Sequence, residues 1–234
     1  DLHKWIGIGA DEIVGIDINK KSLYDKNGAY HRYNKMKGKM SKKQIPKCLF
    51  LHGNLSKRDT FDMLKNKLQD KRFNIVSCQF AIHYFFEKKE SLSNFLDIVS
   101  YFLRENGVFI LTTMNGDAIK EELKRKKGII KNDIFRIKQL VLNDSCYGNK
   151  YSVSLGAMEG EDHYFSQKES NEYMVHKSEL IKECKKRGIE YKTLTLFSEW
   201  NKEYKTRKPE YNMDDNEKEF SFYNFSMLFT KSKI

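Results

Sequence analysis

The chain has 234 residues, a formal net charge of +11, 39% hydrophobic and 32% charged residues, enough to bury a core of ordinary to large size beneath a heavily charged surface. Its 16 Phe and 13 Tyr exclude a disordered chain, which would be poor in aromatic rings; no apolar run approaches ~18 residues, which excludes a transmembrane helix. The basic excess points to a polyanionic partner, whether nucleic acid, nucleotide or acidic membrane surface, against the plainer reading of a lysine-rich solvated surface. The opening residues DLHKWIGIGADE lack the basic, apolar and small-residue zones of a signal peptide. Cys48, Cys78, Cys146 and Cys184 are too dispersed for a CxxC knuckle, so no metal site is expected. This usage fits a reduced, cytoplasmic setting.

In chain order, EIVGID at 12–17 reads as a strand ending in an acid, and 19–43 as a basic helix broken or loosened near Gly28. CLFLH at 48–52 is a second strand. Phe61, Leu64 and Leu68 mark an amphipathic helix over 57–70, and FNIVSCQF at 73–80 a third strand. Leu92, Phe95, Leu96, Val99 and Leu103 form a helical stripe over 91–104. GVFILTT at 107–113 is a buried strand, followed by a helix at 116–127, a strand at 150–156 and a loop at 157–170. A helix at 177–187 stops at Gly188. Strands at 190–197 and 220–230 close the chain, with 201–219 a charged surface loop. Strands alternating with helices predict an α/β fold with a mostly parallel sheet and an antiparallel C-terminal addition at its edge. A single domain, 1–234, is expected, with a variable insertion around 125–170.

In a doubly wound sheet, ligands lie beyond the carboxyl ends of the strands. Asp17 there could accept hydrogen bonds from a ribose diol, or be a turn or capping acid. Asn54, after the second strand, could pair with an adenine edge, although a GN turn is the more economical reading. Gln79 ends the third strand, with Phe80, His83 and Tyr84 close behind. That grouping reads as a ligand rim, or as a structural histidine beside a packing tyrosine.

At these residues the sequence resembles a known family. FNIVSCQFAIHYFFE resembles the mRNA cap guanine-N7 methyltransferase segment of general form FDxxSxQFxxHYxFE. GVFILTTMNGDAI resembles that family's GGxFIxTTPN, and its TTMNGD is nearest the poxvirus-like capping enzymes of large DNA viruses. HRYNKM and DLHKW match two further stretches. The likeness is dense at 73–87 and 107–117 and thin at 125–170 and 200–219.

The resemblance implies a class I S-adenosylmethionine-dependent, Rossmann-like fold and methyl transfer from S-adenosylmethionine to N7 of the RNA cap guanine. It also implies a setting as the C-terminal domain of a viral capping enzyme. Asp17, with Ile18 beside it, matches the ribose-binding acid of the cofactor site, Asn54 the adenine contact and Gln79 a cofactor-side residue. Arg32 falls where a basic residue meets cap phosphates. His83, Tyr84, Glu172 and Tyr223 match contacts to the cap guanine, and Lys35, Lys37, Lys39, Lys42 and Lys43 would attract the triphosphate and RNA. Guanine N7 already carries an unshared pair, so no catalytic base is expected. Three departures stand out: the family's first strand and most of its glycine-rich loop are expected upstream of Asp1, Asn54 replaces an acid, and Met114 stands where cellular members have proline. Expected partners are the capped RNA end, upstream capping domains of the same polypeptide and a small stimulatory subunit. The expected location is the cytoplasm, in a viral factory or virion. The alternatives are a class I methyltransferase acting on another RNA site or a small molecule, and a degenerate, non-catalytic RNA-binding fold.

Overall fold

The computed structural model describes residues 2–38, 45–156 and 169–233. They fall into two compact units, Asp1–Lys67 and Leu68–Ile234.

In the first unit, a short helix α1 (Leu2–Gly7) precedes strand β1 (Glu12–Asp17), helices α2 (Lys20–Tyr24) and α3 (Ala29–Lys37), strand β2 (Lys47–His52) and helix α4 (Arg58–Leu68). β1 and β2 pair in parallel with Asp17 opposite His52, so their carboxyl ends adjoin. Asn19 caps α2 by accepting from the Lys21 N–H. The helix expected over 19–43 is two helices with Gly28 as the N-cap of the second. A Cβ on Gly28 would lie 2.7 Å from the Leu23 carbonyl, so only glycine lets the chain turn this tightly. The Tyr33 hydroxyl donates to the Pro46 carbonyl (2.9 Å) and the Tyr24 hydroxyl to that of Phe50 (2.8 Å), tying both helices to β2. Lys39, Lys42 and Lys43 lie outside the described residues.

The second unit begins with β3 (Phe73–Gln79), a 3-10 turn (Ile82–Glu87), α5 (Lys89–Phe102), β4 (Leu103–Met114) and α6 (Gly116–Arg125). Next come β5 (Ile129–Lys131), β6 (Phe135–Val141), β7 (Lys150–Leu155) and β8 (Ser170–Tyr173). It ends with α7 (Lys177–Lys185), β9 (Ile189–Leu196), α8 (Phe197–Arg207), α9 (Asp215–Ser221) and β10 (Asn224–Lys231). β3 and β4 pair in parallel, and β10 lies antiparallel between β4 and β9. The core of this sheet is aromatic: Phe85 stacks on Phe95 at 4.1 Å, and Phe109 on Phe229 at 5.7 Å. β5, β6, β7 and β8 form a separate antiparallel sheet. Its inward face carries Ile130, Phe135, Ile137, Tyr151 and Val153 beneath Ile119 and Leu123 of α6.

Several sequence expectations are corrected. The charged stretch 201–219 is not a loop, because α8 and α9 occupy most of it. Glu199 Oε2 accepts from the Leu196 N–H (2.7 Å), Asp214 and Glu217 form a reciprocal capping box, and the Trp200 indole donates to Ser226 Oγ (2.8 Å). Residues 220–221 close α9 rather than open the last strand, and Phe197 opens α8 rather than ending one. Ser170 begins β8, and Leu103 begins β4 rather than ending α5. Besides the strand expected at 150–156, residues 125–156 hold β5 and β6. The remainder of the expected loop, 157–168, lies outside the described residues.

Candidate active site

In the first unit, Asp17 ends β1 and its Oδ1 accepts from the Asn19 N–H at 2.7 Å. Its second oxygen has no partner among the described residues. The next side chain, Ile18, is 62% exposed, unusual for an isoleucine at a strand end. Asn54 lies just past β2, and its Oδ1 accepts from both Ser56 N (3.0 Å) and Ser56 Oγ (2.7 Å). This is the turn foreseen from the GN pair. The amide nitrogen of Asn54 has no acceptor among the described residues. Arg32 lies on the exposed face of α3 with Nη1 donating to the Asn27 carbonyl, and Lys35 and Lys37 are exposed on the same helix.

In the second unit, Gln79 closes β3 opposite Thr112 of β4. Its Nε2 donates to Ser77 Oγ (2.9 Å) and its Oε1 accepts from Thr112 Oγ1 (2.8 Å), fixing the amide while leaving one hydrogen and one lone pair without a partner among the described residues. The next residue, Phe80, has φ +50°, left-handed for a bulky residue, and its ring is 52% exposed. A conformation of this kind costs roughly 1–3 kcal/mol and concentrates at functional sites. The Phe80 N–H bond to Thr112 O (2.9 Å) holds it while the chain leaves the sheet for the 3-10 turn.

That turn sorts its side chains by face. Ile82, Phe85 and Phe86 anchor it in the core, His83 is buried and Tyr84 is 52% exposed. The Gly148 N–H donates to Phe86 O (2.9 Å) and the Met174 N–H to Asn149 O (2.8 Å), holding the turn, the start of β7 and the end of β8 together. Glu172 on β8 thereby comes within 3.8 Å of His83 Nδ1 through its Oε2. The His83 and Tyr84 rings lie 4.1 Å apart. His83 Nε2 is buried without a hydrogen-bond partner among the described residues. Burial pushes the His83 pKa below its usual value, with the Glu172 charge opposing. The Glu172 carboxylate is 15% exposed and accepts from the Tyr151 hydroxyl at 2.9 Å. The structure thus brings His83, Tyr84 and Glu172 into one cluster, with Tyr151 as a member that the sequence did not single out.

Tyr223 precedes β10, half-buried edge-on against Phe135 at 6.3 Å. Burial and the Glu122 and Glu219 charges push its phenol up to about 12. It packs against the same hydrophobic cluster that holds Tyr151. A histidine–carboxylate pair also went unforeseen: Nδ1 of the buried His176 lies 2.8 Å from Oδ1 of the partly exposed Asp117, and its Nε2 lies 3.4 Å from Asn149 Nδ2. With both ring nitrogens engaged, it ties α6 to the β8–α7 connection.

This architecture is similar to an S-adenosylmethionine-dependent methyltransferase of Clostridium acetobutylicum (TM-score 0.56, 13% identity, 95% of this chain and 76% of that one). It is also similar to the CcbJ methyltransferase of Streptomyces caelestis (TM-score 0.54, 14% identity, 97% and 82% covered). The fold is that of the class I S-adenosylmethionine-dependent methyltransferases. The family model of the mRNA (guanine-N(7))-methyltransferase domain matches residues 1–230, and the chain belongs to that family. Among its relatives, the mRNA cap guanine-N(7) methyltransferase of Schizosaccharomyces pombe is 35% identical over 144 residues, covering 59% of this chain and 36% of that protein. That of Candida albicans is 27% identical over 211 residues, covering 85% and 42%. A probable mRNA-capping enzyme of Acanthamoeba polyphaga mimivirus is 28% identical over 143 residues, covering 54% of this chain and 12% of that protein. The chain therefore spans less than half the length of each of these relatives.

Proposed function

We propose that this chain is the methyl-transferring part of an mRNA-capping enzyme, acting on N7 of the guanine that caps RNA. The observation that carries the reading is the His83–Tyr84–Glu172 cluster: a held, partly exposed carboxylate, a buried imidazole with an unpartnered nitrogen, and an exposed aromatic ring. Glu172 accepts from the N1–H and exocyclic amine of guanine, a donor pair that adenine, cytosine and uracil lack. Tyr84 and His83 flank the base, Tyr223 closes on it, and Arg32 with Lys35 and Lys37 meets the phosphates.

The residues at the strand ends fit the cofactor by their donor set. The second oxygen of Asp17 accepts from ribose hydroxyls. The exposed side chain of Ile18 gives the adenine an apolar surface, and the amide nitrogen of Asn54 offers it a donor. Gln79 keeps one hydrogen and one lone pair available. When bound, S-adenosylmethionine supplies a methyl group already activated on a sulfonium. Guanine N7 holds an unshared pair, so no side chain removes a proton. The protein orients the base and excludes water, and orientation of this kind contributes up to roughly 7–11 kcal/mol.

Further capping domains on the same polypeptide fit the mimivirus relative, of which the match covers 12%. A small stimulatory subunit completes the proposed set of partners. No helix of the described residues is long and apolar enough to cross a membrane. By analogy with the proposed capping role, we place the protein in the cytoplasm, in a viral factory or virion. The test is to incubate the full-length protein with GpppRNA and methyl-labelled cofactor, digest the RNA and identify the labelled nucleoside. We expect 7-methylguanosine; label on any other nucleoside, or none, overturns the reading.

A further inference from the structure

We infer that Tyr151 is a positioning residue for base recognition: its buried hydroxyl fixes the Glu172 carboxylate from the protein side and so sets the preference for guanine over a base without the exocyclic amine. The inference rests on the proposed role of Glu172. Tyr151 and Glu172 lie directly opposite on β7 and β8. Tyr151 is 1% exposed, so its hydroxyl reaches the carboxylate from behind while the carboxylate keeps its own exposure at the surface. The Tyr151 hydroxyl donates to Glu172 Oε2 at 2.9 Å.

The other neighbours hold the carboxylate weakly. Ser170 Oγ is 3.4 Å from Oε1, and His83 Nδ1 is 3.8 Å from Oε2, beyond hydrogen-bond reach. The terminal torsion of a glutamate is broad, so without the phenol little would stop the carboxylate from rotating. The phenol has a single proton and two acceptors in range, Glu172 Oε2 and the Met114 sulfur at 3.6 Å. The charged oxygen is nearer and the stronger acceptor, so the proton goes there. Burial and the Glu172 charge hold the Tyr151 pKa well above the ordinary phenol value, so the group remains a donor.

A fixed carboxylate meets both guanine donors at once; a rotating one meets them one at a time. An inosine cap offers only N1–H, so the ratio of kcat/KM on GpppRNA to that on IpppRNA reads the second bond. In the full-length protein this ratio should be about 10–100, the value of one charge-assisted hydrogen bond. Tyr151→Phe removes one oxygen and leaves the ring. It should raise KM for GpppRNA about tenfold and bring the ratio to within about threefold, with kcat and cofactor affinity unchanged. If Tyr151→Phe does not fold, Tyr151→Met fills the space without a donor and the same ratio is read. In the cycle with Glu172→Gln, the second change should add less than about twofold once the first is present. A wild-type ratio and KM in Tyr151→Phe, with Glu172→Gln crippled, overturns the inference and leaves the Glu172 reading standing. Glu172→Gln with unchanged KM and ratio overturns the Glu172 reading, and the inference with it.

Discussion

Asp17 divides its carboxylate between two tasks. One oxygen shapes the β1–α2 turn through the Asn19 N–H, and the other has no partner among the described residues. Asp17→Ala should therefore weaken S-adenosylmethionine binding about 10–100-fold, the loss of a charge-assisted acceptor, as read by calorimetry. Unchanged affinity would remove Asp17 from the proposed site. His83 makes a second prediction, on stability. Burial holds its folded pKa below the ordinary 6.5, so the unfolded chain takes up the proton first as pH falls. The stabilisation by neutral His83 is complete above about pH 6.5 and declines below it. Urea midpoints should drop between about pH 7.5 and 5.5, and less so in His83→Gln; an equal drop in the variant assigns the effect to other groups. Asp17, Gln79, His83 and Tyr84 were legible because each closes or follows a recognisable strand. Tyr151 was not, since its meaning depends on lying opposite Glu172, a register that no local pattern encodes.

At the scale of elements, the junction between α6 and the β8–α7 connection depends on one glycine. A Cβ on Gly116 would lie 2.4 Å from Val175 N and 2.6 Å from Val175 O, both backbone atoms. Gly116→Ala must push apart α6 and the segment that follows Glu172, at a cost of about 1–3 kcal/mol or more. We expect a lower urea midpoint with unchanged m; wild-type stability would show that the contact relaxes freely. Gly116 lies in the TTMNGD stretch, but nothing local in the sequence shows this long-range backbone approach. Strands β1 to β4 and helix α5 were legible from apolar runs and a helical stripe. Of the antiparallel sheet, β7 was legible at 150–156, whereas β5 and β8 are short and the outer face of β6 is basic, with Arg136 and Lys138 flanking Ile137. The helix α9 carried an unused signal: Asp214 followed by Glu217 is a capping box in the sequence itself, and the structure forms it.

For the molecule as a whole, the net charge of +11 bears on the proposed encounter with RNA rather than on the fold. Several basic groups are locally paired: Glu122 with Arg125 and Lys126, and Glu183 and Asp97 with Arg187. Arg32, Lys35 and Lys37 stand on an exposed helix whose own residues include no acid. Charges of this kind contribute through release of counterions from the RNA backbone, and each phosphate neutralised lowers the slope of log affinity against log salt by about 0.7 for a single strand. With about three to five such contacts, affinity for a capped RNA of some ten nucleotides should fall roughly 20–130-fold between 50 and 200 mM salt. Cofactor affinity, carried by short-range hydrogen bonds, should move far less over the same range. Removing Arg32, Lys35 and Lys37 together should flatten the RNA slope and also raise KM for a short cap analogue, which keeps the triphosphate that Arg32 is proposed to meet. A slope that stays the same in the triple variant would assign the backbone contacts to other basic residues, and affinity indifferent to salt would rule out electrostatic capture of the RNA altogether.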